Sequence, residues 1–477
     1  STINNRYART GQAAIPLSKM AKRAADEKNN TDKKPVNLDL DTDLHRQAYS
    51  TLNLNESAAL QDKFTPKHLL SADGEPRKVY YPIDLDKDFQ YSSPYAKKRS
   101  QKEAIKDMAL IHIDGNGLGL LLRALQSALK DKKNQDYCHA FRQFSQALTT
   151  ATQLAAQTAT NWLYENAAYQ LPNSQNNKTY LPMRPLVLGG DDVTLLCRAD
   201  LALEYSRIFC QAFKIESEQA LKEIHKRYQL AKEGVKPYLT ASGGILYHKA
   251  SHPFTHSHHL VEDLCAKAKK LTKSVDNSVK EKTAPAALAF FRLSNSVSSD
   301  IETLCQQTQQ FDVQSFDEQN KVAQRTINLG LNAYLVDGEQ HTPHHQQLEH
   351  LHNCINASTD KTVSMTKWRQ MATELALGNK IEADRLYDRA IDISTKKEGS
   401  KEQRQAQHQA LEKIASSELT KWYWQIEQEP EKNQGQGNNT LQTIITDMLI
   451  VDHFSPVLNS SEPNKPEQIP QENKEQS

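Results

Sequence analysis

The chain is predicted to be α+β: a ferredoxin-like sheet domain over residues 106–295, followed by a mostly helical region over 300–455. Three observations predict it. Short apolar runs rich in β-branched residues alternate with long helical stretches, in the order strand, helix, helix, hairpin, helix, strand, helix, strand. Two of the apolar runs flank a Gly-Gly-Asp-Asp turn, which marks them as a hairpin. Polar, proline-bearing sequence precedes this block, and helical periodicity without strand signals follows it.

Taken in order, residues 1–105 read as an irregular, polar N-terminal region, with short helices expected near Leu44–Leu52 and Glu56–Lys63. Ala109-Leu110-Ile111-His112-Ile113 is the first strand, ending in the turn-rich Asp114-Gly115-Asn116-Gly117. Helical patterns run over Leu118–Leu129 and Tyr137–Tyr169, then a polar loop over 170–183. Pro185–Leu188 and Val193–Leu196 flank Gly189-Gly190-Asp191-Asp192, and Leu201–Ala231 is a long helix. Tyr238–Tyr247 is a strand, Leu260–Lys273 an amphipathic helix, and Ala287–Leu293 the last strand. This is the layout of polymerase palms and nucleotide cyclases, with the helices expected on one face of the sheet. Beyond it, periodic stretches cover Ser364–Leu377, Ile381–Thr395, Glu402–Gln425 and Thr440–Val451, and residues 456–477 read as a disordered tail.

Bulk properties exclude several classes. The 477 residues suit two or three domains of about 150 residues each. Charge is balanced, 59 basic against 58 acidic residues, so no global field draws nucleic acid. Mean hydropathy is −0.72, and no apolar run is long enough to span a bilayer, so no membrane segment is expected. Residues 1–22 lack the apolar stretch of a secretion signal. The six cysteines, Cys138, Cys197, Cys210, Cys265, Cys305 and Cys354, include no C-x-x-C pair. They fit a reducing, cytoplasmic setting and argue against a structural zinc ribbon.

The chemistry is expected at the end of the first strand and in the hairpin turn. Phosphoryl transfer needs divalent metal, and Mg²⁺ or Mn²⁺ takes oxygen ligands, typically one or two carboxylates plus substrate phosphates. If the first strand lies beside the hairpin, Asp114, Asp191 and Asp192 converge and serve as metal ligands and catalytic residues. Gly189 and Gly190 admit positive φ and leave room for a triphosphate, while Gly115 and Gly117 let the backbone approach metal and phosphate. An Asp-Gly hairpin standing alone is an ordinary turn; the upstream strand ending in Asp114 raises it to a site.

These motifs, Ile111–Gly119, Leu188–Val193 and Ala241–Ile245 followed by His248-Lys249 and Pro253-Phe254, resemble the second palm of the large subunit of type III CRISPR effector complexes, a family itself similar to GGDEF cyclases. The resemblance implies an enzyme that makes a cyclic oligonucleotide messenger from ATP in antiviral defence. It implies nucleotide contacts from Gly115, Asn116, Gly189, Gly190 and Ser242, and phosphate contacts from Lys267 and Lys270 on the helix after the Ser242 strand. Asn116 stands where the family has a second acid, and neither a His-Asp nuclease pair, a cysteine zinc site nor a second palm is found. The chain therefore reads as a reduced, stand-alone relative or as part of another defence complex; a silent, nucleotide-binding scaffold is the alternative. With one palm, the active form is expected to be a homodimer or a complex with a protein partner, and nucleic acid is a candidate activator. The helical region, with Trp368, Trp422 and Trp424, is the expected partner-binding module. Two histidine groups, His248 to His259 and His341 to His352, read as surface loops.

Overall fold

The structure, a computed structural model, describes residues 59–70, 79–82, 107–170, 179–276, 284–294, 300–316, 322–337, 346–426 and 440–456. The chain divides into two compact units, Ser1–Asp62 and Lys63–Ser477. Of the first unit only the opening turn of the helix Ala59–Phe64 is described; the helix expected near Leu44–Leu52 and the tail from 457 lie outside the described residues.

The second unit is built on a six-stranded sheet. Its elements in chain order are β1 (Asp107–Asn116), α1 (Leu118–Ala128), α2 (Asn134–Ala167), β2 (Met183–Gly189), β3 (Asp192–Arg198), α3 (Ala199–Arg227), β4 (Thr240–Lys249), α4 (Phe254–Asp276) and β5 (Ala287–Arg292). After these come α5 (Ile301–Gln309), β6 (Gln310–Phe316), β7 (Val322–Asn328) and β8 (Ala333–Leu335). The sheet order is β8-β5-β4-β1-β3-β2, with β1 antiparallel to both neighbours and β4 parallel to β5. The β4-β1-β3-β2 core is the ferredoxin-like arrangement that the element order predicts. Edge strand β2 slips register between Pro185 and Val187, at the proline that cannot donate to the ladder.

Strand β1 is almost wholly buried because both faces of the sheet are covered. Met108, Leu110, Leu196 and Leu246 pack with Leu260, Val261, Leu264 and Ala268 of α4 and with Ile301 and Leu304 of α5. Ile111, Ile113, Val193, Leu195 and Ile245 point to the other face, where α3 crosses β4, β1 and β3 and pairs along its length with α2. The expectation of helices on one face is thus corrected: α4 returns on the opposite side from α3. Its close seat depends on Gly244, where an added Cβ would lie 2.3 Å from the Val261 carbonyl oxygen and 2.8 Å from the Cys265 nitrogen.

The C-terminal region is mostly helical, as expected, but it also holds strands. Helices α6 (Leu348–Ala357), α7 (Met365–Ala376), α8 (Lys380–Thr395) and α9 (Ser400–Ile414) are joined by a four-stranded sheet. That sheet runs β9-β10-β7-β6, where β9 is Trp424–Ile426 and β10 is Thr440–Gln442, and helix α10 (Ile445–His453) follows. Strand β8 belongs to the first sheet, so that sheet does not end at residue 295. All three tryptophans expected to feed a docking face are buried, each Nε1 donating to an internal partner: Ser358 Oγ, Asp384 Oδ1 and Ser416 Oγ. No helix among the described residues is long and apolar enough to cross a membrane.

Candidate functional site

Register places the carboxylates. Ile113 pairs with Val193, so Asp114 and Asp192 stand side by side at the end of β1 and the start of β3, on the face that carries α4. Between β2 and β3 the chain reverses through Gly190 and Asp191, with Gly190 at φ +61°, the conformation a glycine-first two-residue hairpin loop requires. Thr152 of α2 donates to the Gly190 carbonyl at 2.6 Å and braces the turn from behind. The Asp191 side chain then lies over the backbone of Gly115, where a Cβ would stand 2.8 Å from Asp191 Cβ and Oδ2. Gly189 and Gly190 have nothing within 4 Å on their free side, so the turn opens outward.

The three aspartates are crowded. Burial first, and then the charge of Asp114, raise the Asp191 carboxyl above the ordinary carboxylate range. Asp192 is raised as well, by burial first; Asp114 and Glu262 add to the shift, while His112 and His258 oppose it. The ammonium of Lys269 lies 2.5 Å from Asp114 Oδ2 and 3.3 Å from the Gly115 carbonyl oxygen. A cation thus already sits between a carboxylate and a backbone carbonyl, the kind of oxygen pair a divalent ion takes. Among the described residues no group of three or more His, Cys, Asp or Glu side chains is arranged around a metal position.

Lys269, which the sequence reading did not name, is the lysine that reaches the candidate site. Lys267 contacts Cys305 Sγ at 3.9 Å and Lys270 is exposed; neither reaches the carboxylates. The helical phase held the signal: Val261, Cys265, Lys269 and Thr272 share the inward stripe of α4, and Lys267 and Lys270 fall off it. Asn116 and Ser242 also differ from expectation. Both are buried, and the Asn116 amide donates to Ser242 Oγ at 2.8 Å, Thr240 Oγ1 at 3.1 Å and the Pro285 carbonyl at 3.3 Å. Their side chains bolt β1 to β4 and are occupied within the protein.

Residues 107–277 match the family model of the Cas10/Cmr2 second palm domain. Over that segment the chain is similar to a Cas10-type palm. The matched segment runs from β1 through α4 and includes Asp114, the Asp191–Asp192 turn and Lys269. No curated protein matches the chain. Around the site, only His252 of the first histidine group lies in a loop, between β4 and α4. His248 lies in β4, His256, His258 and His259 lie in α4, and the His258 ring stands 6.1 Å from that of His112. Of the second group, His350 and His352 lie in α6, and His341 to His345 fall outside the described residues.

Proposed function

We propose that the palm is a Mg²⁺- or Mn²⁺-dependent nucleotidyltransferase that joins nucleoside triphosphates, ATP first among them, into a cyclic oligonucleotide for antiviral defence. The observation that carries this reading is that Asp114, Asp191 and Asp192 lie near one another, with Lys269 on Asp114, at one end of the sheet. Asp114, the Gly115 carbonyl and the outward oxygen of Asp192 would hold the ion, which supplies neutralisation of phosphate charge. Lys269 has the length and charge to follow a triphosphate once metal takes its place on Asp114. Gly189 and Gly190 leave open space where phosphates would approach. The choice of ATP rests on the family resemblance.

One palm binds one donor, and joining two nucleotides needs an acceptor hydroxyl held about 3–3.5 Å from the donor phosphorus. A second copy of the chain, or a partner protein, would present it. A scaffold reading is favoured by one observation: Lys269 already neutralises Asp114, as a silent palm would require. The test is to incubate the protein with each labelled nucleoside triphosphate and Mg²⁺ or Mn²⁺, resolve the products, and follow mass by light scattering. Asp191→Ala with Asp192→Ala should abolish turnover while leaving the protein folded by circular dichroism; product formation unchanged in that double variant, or none from the parent, rejects the enzyme reading.

A further inference from the structure

Asp192 presents its two carboxylate oxygens differently. The side chain is 44 % exposed, yet Oδ1 is shut off from solvent and has no hydrogen bond of standard geometry. An inward carboxylate oxygen without a donor is costly to keep charged. Beside it, His112 Nδ1 stands 3.3 Å from Oδ1. That ring is itself held: Nδ1 is 3.0 Å from Thr194 Oγ1, directly across the β1–β3 ladder. The side chain is 13 % exposed, with the His258 ring beside it. In the tautomer protonated at Nδ1 the N–H is directed at Thr194 Oγ1, with Asp192 Oδ1 close beside it.

We infer that His112 is the positioning residue of Asp192, steadying Oδ1 from within so that the other oxygen faces outward toward a divalent cation. The inference rests on the proposed nucleotidyltransferase reading, because it assigns Asp192 to metal. It follows a general rule: carboxylates that ligate metals are themselves hydrogen-bonded, and removing such a partner weakens metal binding about 10–100-fold. The imidazole also serves the buried hydroxyl of Thr194. Its neighbours on the same face of β1 are Leu110, which is packed in the core, and Asp114.

The probe is Mn²⁺ itself, counted by electron paramagnetic resonance of the free ion, with and without ATP. His112→Val keeps a strand-forming side chain but removes the donor, and should weaken Mn²⁺ binding at this site about 10–100-fold. In turnover assays the metal concentration needed for half activity should rise by a similar factor, while KM for nucleotide at saturating metal stays near the parent value. His112→Asn, whose amide nitrogen occupies the place of Nδ1, should recover most of the affinity; His112→Gln, whose amide reaches the position of Nε2, should not. Parent-like Mn²⁺ binding by His112→Val overturns the inference, and so does a failure of Asn to do better than Gln, including the case where the Val variant melts. A parent whose Mn²⁺ binding is untouched by Asp191→Ala with Asp192→Ala fails at the earlier step: it rejects the metal reading of the palm, and this inference with it.

Discussion

Asp191 carries a cost at the scale of a single residue. Its carboxyl is raised above the ordinary range by burial and by Asp114, so the charged form is disfavoured in the folded chain relative to the unfolded one. The sign follows. Such a group favours folding below its unfolded pKa, near 4, and that contribution is lost as pH rises through the raised folded value. In chelator, Asp191→Asn should therefore stabilise the protein at neutral pH, by roughly 0.5–1 kcal/mol for a partly solvated charge. The gain should shrink as pH falls and vanish below about 4. Thermal melts of parent and variant across pH check this; a variant less stable than the parent at pH 7 contradicts the crowding argument. Saturating Mg²⁺ should reverse the order, since the ion favours the form with the carboxylate intact.

Helix α4 shows what an element contributes. It carries Lys269 to Asp114, and it can lie so close only because β4 has no side chain at Gly244. A Cβ there would meet backbone atoms of α4, which cannot rotate away as a side chain would. Gly244→Ala should cost about 3 kcal/mol or more, since the helix must lift off the sheet. Denaturant unfolding measures the loss, which should exceed that of Gly189→Ala, whose new methyl meets open space. The elements themselves were legible in the sequence: strands and helices of the palm lie within a few residues of their predicted bounds, because period and turn chemistry are local properties. The hairpin is the clearest case, with Gly190 at the one turn position that needs positive φ. Strands β9 and β10 were read as helix, since short strands paired through distant sequence carry little period of their own.

Across the whole molecule, Asp447 of α10 ties the C-terminal region to the palm sheet. It is fully buried and accepts from Leu331 N at 2.7 Å, Asn332 N at 3.2 Å and the Tyr334 hydroxyl at 2.7 Å, next to strand β8. Asn332 takes positive φ to aim its N–H there. Burial pushes the Asp447 carboxyl up to about 6, against the lowering effect of those donors. Asp447→Ala should destabilise by about 3–5 kcal/mol by leaving buried donors unpaired. Calorimetry is the check: melting of the palm and C-terminal region should shift down together if the tie is as tight as the hydrogen bonds imply, and a loss below 1 kcal/mol contradicts it.

The sequence alone determined the order of elements in the palm, the Gly-Gly-Asp-Asp hairpin and the identity of Asp114, Asp191 and Asp192. Each of these is written in a window of a few residues, where hydrophobic period and turn propensity act directly. What only the tertiary structure decided is which side chains meet those carboxylates. Lys269 rather than Lys267 or Lys270 reaches Asp114, since the helical phase of α4 acquires meaning only once its buried face is known. Asn116 and Ser242 turn inward because the β1–β4 register sets Asn116 opposite Thr240 and Asp114 opposite Ser242, and α4 closes over that face. The tryptophans became core, and β8 joined the palm sheet, through partners far along the chain. Register and long-range packing are settled by the total burial that the whole chain achieves, and no local pattern encodes that sum.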